Sequence, residues 1–76
     1  MNNESNREKY IKKLKIIIPH WIEHNNEHIS DHGKWLKDAE KFELKEVGSE
    51  LRKAVALLKQ ANEHIKLANK KLNKNV

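Results

Sequence analysis

The chain has 76 residues, a formal net charge of +5 at pH 7 and no cysteine. A chain of this size forms one domain with a modest core, so a bound metal or a second subunit often supplies part of its stability. The lack of cysteine excludes disulfides and thiolate metal sites. Histidine nitrogen and carboxylate oxygen remain as the strong metal ligands.

Lysine carries most of the basic charge. Of the sixteen basic residues fourteen are lysine, and only Arg7 and Arg52 are arginine. Arginine is the residue that reads base edges and binds phosphates through paired hydrogen bonds, so we do not expect nucleic acid as a partner. The N-terminal sequence is polar, and the longest apolar run covers only residues 16–18. These features predict a cytoplasmic protein without a signal peptide or a membrane span.

The first half of the chain has the apolar periodicity of a helix. Residues 1–5 are predicted to be disordered, residues 6–18 to form an N-terminal helix, and residues 19–43 to form a second helix. Pro19 lacks an amide donor and disfavours helical geometry at Ile18, so we expect either a kink there or a new helix that begins with Pro19 in its first turn. The apolar stripe consists of Tyr10, Leu14, Ile17, Trp21, Trp35, Ala39 and Phe42.

Histidines recur every four residues in the middle of this stripe, at His20, His24, His28 and His32. Side chains four residues apart project from the same face of a helix. Trp21 and Trp35 are predicted to be core residues, and between them the inward positions are His24, Asn25, His28 and His32. The core is therefore predicted to contain a polar layer, which needs a hydrogen-bonded network, a bound ion or water.

The second half of the chain is a heptad seam that predicts a helix over residues 45–73. A short turn near residues 43–46 folds the two halves into an antiparallel hairpin, in which the numbers of facing residues add to about 89. In that register His64 arrives opposite Asn25. The residues of the seam are Leu44, Val47, Leu51, Ala54, Leu58, Ala61, Ile65, Ala68 and Leu72.

The sequence therefore predicts an all-α fold. It is a long antiparallel helical hairpin with an N-terminal helical extension kinked at Pro19. One hairpin cannot cover its own apolar stripe, so we expect a homodimer that forms a four-helix bundle.

In this hairpin all five histidines cluster at one end. We expect His24, His28 and His64 to bind a divalent transition metal, assisted by His20 and His32, because an i, i+4 pair supplies two imidazoles that the backbone already holds in place. Imidazole sites without thiolate suit Ni²⁺ or Zn²⁺ first, with Cu²⁺ or Co²⁺ as alternatives. Polar neighbours then accept hydrogen bonds from the rings and orient them around the ion. They are Glu23, Asn25, Glu27 and Asp31.

Residues 19–28, PHWIEHNNEH, resemble a Pro-His-Trp-x-x-His-Asn-x-x-His motif. It belongs to short, largely archaeal prokaryotic helical proteins of uncharacterised function, which occur alone or joined to small nickel-handling proteins. The resemblance covers residues 19–39 and, more weakly, the second helix. It implies transition-metal handling and a metal-handling protein as partner. The residues that match the motif are His20, His24, His28 and Asn25, whereas His32 and His64 have no matched position.

These features favour a small histidine-rich transition-metal-binding accessory or sensing protein. The alternative is a helical homo-oligomeric interaction module with a pH-responsive or hydrogen-bonded histidine layer. A nucleic-acid accessory protein that acts through its lysines ranks third. The sequence has no Glu-x-x-His pair of di-iron bundles, no His-Glu-x-x-His zinc-hydrolase signature and no glycine-rich phosphate loop, so we do not expect an enzyme.

Overall fold

The protein is a two-helix hairpin in its computed structural model, which describes residues 4–75. Helix α1 spans Asn6–Lys41 and helix α2 spans Lys45–Asn75. The two helices run antiparallel and form a rod of 64 × 19 × 15 Å. The described part of the chain contains no strand. The predicted all-α hairpin is therefore confirmed.

Helix α1 begins at an N-cap that has the sequence of a capping box. The extended backbone of Ser5 lets its hydroxyl accept a hydrogen bond from the Glu8 N–H at 3.1 Å, and the sequence Ser-x-x-Glu is the one that such boxes use. Of residues 1–5, predicted to be disordered, Ser5 thus has a defined role as the cap. Residues 1–3 lie outside the described part of the chain.

A single helix spans the first half of the chain. Pro19 lies inside α1, so the residues predicted as two helices, 6–18 and 19–43, form one helix that ends at Lys41. Proline leaves the carbonyl four residues earlier without its helical donor. Because Pro19 is exposed, that carbonyl can bind water instead. A bend at Pro19 stays a prediction.

The turn between the helices is a Schellman motif. The Glu43 N–H donates to the Glu40 carbonyl at 3.1 Å, and the Leu44 N–H donates to the Ala39 carbonyl at 2.9 Å. Glu43 has a φ of 60°, in the left-handed region that favours glycine. The turn falls where the sequence predicts it.

The helices contact each other through a stripe that shares Leu14, Ala39 and Leu51 with the predicted one but is rotated toward the residues that follow the tryptophans. The predicted core residues Trp21 and Trp35 are 46% and 66% exposed, whereas the residues that follow them, Ile22 and Leu36, face α2. The prediction that both tryptophans lie in the core was wrong. The buried apolar residues are Ile18, Leu36, Ala39 and Val55. Half-buried apolar residues complete the stripe at Ile11, Leu14, Ile22, Ile29, Leu51, Leu58, Ile65 and Leu72.

The prediction failed because each helix carries two adjacent apolar stripes, and a two-helix hairpin covers only one of them. In both helices the exposed stripe lies one residue before the covered one, as Ala54 lies before Val55. Because the helices are antiparallel, the same offset along each places both exposed stripes on one side of the hairpin. We call this side the open face. It consists of Tyr10, Ile17, Trp21, His28, Trp35, Phe42, Leu44, Val47, Ala54, Ala61 and Ala68.

Asparagines form a polar layer inside the hairpin. Asn62, only 2% exposed, accepts a hydrogen bond from Asn25 Nδ2 at 3.2 Å and donates to Asn26 Oδ1 at 3.0 Å and to the Ile22 carbonyl at 3.4 Å. These paired residue numbers add to 87 and 88, close to the predicted 89. The expected polar layer therefore exists, but asparagines rather than histidines occupy it.

Candidate metal centre

The histidines of α1 lie near the middle of the rod and not at one end, since α1 extends from Asn6 to Lys41. His28 lies in the open face, one residue before the half-buried Ile29. The flanking histidines lie at or beyond the edges of this face. His20 and His24 are exposed and His32 is half-buried.

His24 and His28 form the tightest pair of this row. Their Nε2 atoms are 2.9 Å apart, and the rings meet edge to face with centroids 4.4 Å apart. The contact is a hydrogen bond in which one ring donates and the other accepts. The ring of His32 follows at 5.7 Å from that of His28. Three imidazoles therefore form a continuous row.

The spacing of the His24–His28 pair can be compared with that of two ligands of one metal ion. Two nitrogens that bind one ion at about 2.0–2.1 Å are about 2.9 Å apart when the bonds are perpendicular and about 3.3 Å apart when the bonds are tetrahedral. The observed 2.9 Å between the Nε2 atoms falls at the lower of these values. An ion could therefore replace the proton between the rings without any movement of the backbone.

The described residues of one chain add no third ligand to this pair. Within residues 4–75 no group of three or more histidine, cysteine, aspartate or glutamate side chains is placed to hold an ion. His64 is exposed and lies two residues after the buried Asn62, about 200° around α2, so its side chain points away from α1. The structure brings His24 and His28 together but does not add the predicted ligand His64.

Acidic residues border the row on the outer side of α1. Glu23 and Glu27 line a hollow of about 170 Å³ together with His20 and His24. Asp31 lines a neighbouring hollow of about 440 Å³ that Glu23 and Glu27 also border. Asn25, predicted to assist the metal, is instead bonded to Asn62 between the helices.

The tryptophans and a histidine share an exposed surface that was not predicted from the sequence. The signal was the seven-residue spacing of Trp21, His28 and Trp35, which places all three at one heptad position. Trp21 and Trp35 flank His28 along the helix at the same heptad position. A face of this kind can pack against another helix.

A family model described as a domain of unknown function (DUF8180) matches residues 14–72. The chain belongs to this family. The matched region includes all five histidines and most of both helices. No curated protein and no solved structure matches the chain.

The family description assigns no activity, so the predicted archaeal distribution and nickel-protein association stay predictions. Neither helix, over the residues described, has the length and apolar content needed to cross a bilayer. The cytoplasmic location is likewise still a prediction.

Proposed function

We propose that this protein is a small metal-binding accessory or sensing protein. It binds a divalent transition metal ion through His24 and His28, assisted by His20 and His32. The observation that supports this proposal is the 2.9 Å separation of the two Nε2 atoms, which suits two ligands of one ion. Imidazole ligands without thiolate favour Ni²⁺ or Zn²⁺, with Cu²⁺ or Co²⁺ as alternatives. The motif resemblance of residues 19–28 adds a metal-handling protein as partner.

We further propose that the protein acts as a homodimer in which a second hairpin covers the open face and completes a four-helix bundle. Only four apolar residues of the described chain are buried, while Trp35 and Phe42 are among the large apolar residues left in solvent. Contiguous apolar surfaces of this kind mark interaction sites. A bend at Pro19 would let the first turns of α1 follow the second hairpin. The proposal includes no catalytic activity.

Metal titration tests the proposal. We expect purified protein to bind Ni²⁺ or Zn²⁺ in calorimetry or in competition with a coloured chelator. His24→Ala and His28→Ala should each weaken binding more than tenfold, because each removes one of two ligands. His64→Ala is the matched control and should change the affinity less than about twofold, since its ring lies outside the pair. A wild-type protein that binds neither metal would rule out the proposal.

A second candidate is a helical interaction module with a pH-responsive or hydrogen-bonded histidine layer. The His24–His28 hydrogen bond favours it, because the bond needs at least one neutral ring to accept the proton and would be lost if both rings were charged. The titration separates the two candidates, since a module of this kind associates without metal and is insensitive to chelators.

A further inference from the structure

We infer that two copies share one metal ion. They pack their open faces together antiparallel, so that His24 and His28 of both copies meet at the two-fold axis. This inference rests on the proposed function, because it names the partner that completes the same site. The site is incomplete in one chain and takes its remaining ligands from the second copy.

The ligand count favours a partner. Protein sites for ions such as Zn²⁺ use three or four side-chain ligands. One chain supplies the 2.9 Å pair of Nε2 atoms, and its described residues offer no group of three. In a two-fold dimer every group near the axis meets its own copy. A second His24–His28 pair would therefore bring the total to four imidazoles.

The open face is large enough for a stable dimer. The rod is 64 Å long and 19 Å wide, so one broad side covers about 1,200 Å². A standard interface buries about 800 Å² on each partner. Trp35 and Phe42 project from this side together with Val47, and all three line one apolar hollow of about 340 Å³ beside the turn. A second hairpin would fill this hollow with side chains.

The charges at the two ends of the rod favour the antiparallel arrangement. The end of the rod opposite the turn, residues 4–15 and 70–75, has eight basic and two acidic residues, a net charge of +6. The turn end, residues 37–50, has three basic and five acidic residues, a net charge of −2. A parallel dimer would place two strongly basic ends side by side, which repel each other. An antiparallel dimer places each basic end beside an acidic one.

The antiparallel arrangement brings the histidines together. When the ends of two antiparallel rods align, the two-fold axis crosses both rods at half of their length. The middle of α1 lies within one helical turn of Asn26, so the axis passes close to this residue. With the axis at Asn26, His24 of one copy lies level with His28 of the other. The same register sets exposed apolar residues of the two copies level with each other, Trp35 with Ile17 and Phe42 with Tyr10.

Native mass spectrometry and sedimentation with Zn²⁺ test the shared site. We expect one ion per two chains and a dimer dissociation constant at least tenfold lower with Zn²⁺ than with a chelator. The double variant His24→Ala/His28→Ala should lose this dependence on metal. Both residues are exposed in the hairpin, so the variant should keep its helical circular dichroism. His64→Ala should retain the wild-type dependence.

A spin-label distance tests the orientation. The chain has no cysteine, so Ser49→Cys, at an exposed position near the turn, gives one label per copy. Ser49 lies opposite residue 39, thirteen residues from Asn26, which is about 20 Å along the axis at 1.5 Å per residue. Two labels should therefore be about 40 Å apart in the antiparallel dimer. A parallel dimer would bring them within about 20 Å, since packed helices lie about 8–10 Å apart.

The outcomes separate this inference from the proposed function. An ion bound by a chain that stays monomeric supports metal binding but overturns sharing. Loss of Zn²⁺ binding in His64→Ala would show a third ligand within one chain and overturn sharing as well. A short label distance overturns the antiparallel packing. Absence of metal binding overturns both the inference and the proposed function.

Discussion

Among the described residues, Glu43 is the only one other than glycine with a positive φ. An L-residue in this conformation has its Cβ close to its own carbonyl oxygen, at a cost of roughly 1–2 kcal/mol. The two hydrogen bonds of the Schellman turn, from Glu43 to Glu40 and from Leu44 to Ala39, hold the residue there. The connection between the helices therefore contains backbone strain that a glycine would remove.

Glu43→Gly should stabilise the hairpin. We expect the free energy of unfolding to rise by about 0.5–1 kcal/mol, because the relief of strain exceeds the extra freedom that glycine gives the unfolded chain. Urea denaturation followed by circular dichroism measures the change. The control is Glu46→Gly in the first turn of α2, which should lower stability by up to about 1 kcal/mol. Equal changes in the free energy of unfolding of the two variants would show that the positive φ of Glu43 does not strain the turn.

The α1–α2 contact owes its register to asparagines as well as to apolar residues. Asn62 is the most buried polar residue described and bonds to Asn25, Asn26 and the Ile22 carbonyl of α1. A single buried asparagine in a helical seam fixes which residues face each other, because its partners occur at only one level. Sliding α2 by one turn would leave these groups without hydrogen bonds.

Asn62→Ala should destabilise the hairpin by about 1–3 kcal/mol. The substitution removes three hydrogen bonds and leaves the half-buried Asn25 without its partner. Thermal and urea denaturation measure the loss. Asn73→Ala is the control, since Asn73 is exposed and bonds only within α2 in the described chain, and it should change stability by less than about 0.5 kcal/mol. Similar losses of stability in both variants would show that the hydrogen bonds of Asn62 contribute no more than those of an exposed asparagine.

The sequence was sufficient for the helices and the turn, but not for the face through which the helices meet. Spacings of three and four residues identify a helix, yet they occur in both stripes, as between Ile17 and Trp21 or between Ile18 and Ile22. Periodicity cannot choose between stripes one residue apart, because the choice depends on how side chains of two helices fit together. The burial of Asn62 was not predicted for the same reason, since the predicted seam contains Ala61, the residue before it.

The part of the candidate site that lies within one helix could be predicted from the sequence, whereas the part that depends on helix packing could not. The His24–His28 contact could be predicted, because a spacing of four within one helix fixes the distance locally. The place of His64 depends on how α2 is rotated about its own axis, which only tertiary packing decides. A ligand set that joins two helices therefore needs the structure, and one that joins two chains needs the assembly.

The whole hairpin is a thin rod in which no described apolar residue is far from solvent. Two helices bury little more than a single line of side chains, and the buried apolar set is limited to Ile18, Leu36, Ala39 and Val55. A core this small supplies little stability on its own. We therefore expect the exposed tryptophans to be removed from water by association, as the proposed dimer implies.

Trp35→Gln tests this explanation against Ile16→Gln. Trp35 lies in the open face and Ile16 lies outside it, and they are 66% and 72% exposed in the hairpin. An isolated hairpin would tolerate both changes within about 0.5 kcal/mol. A dimer through the open face loses a buried aromatic residue only in Trp35→Gln, and such residues dominate interfaces at 2 kcal/mol or more. We therefore expect sedimentation to show at least tenfold weaker association for Trp35→Gln and no change for Ile16→Gln.

The melting temperature of the wild-type protein should also rise with protein concentration, and this dependence should disappear in Trp35→Gln but persist in Ile16→Gln. The two variants differ in whether the substituted residue lies in the open face, whereas both residues are similarly exposed and both become glutamine. If both variants weaken association equally, apolar exposure in general drives it, and the open face has no specific role. If neither does, the second copy packs elsewhere or is absent, and the tryptophans stay in water.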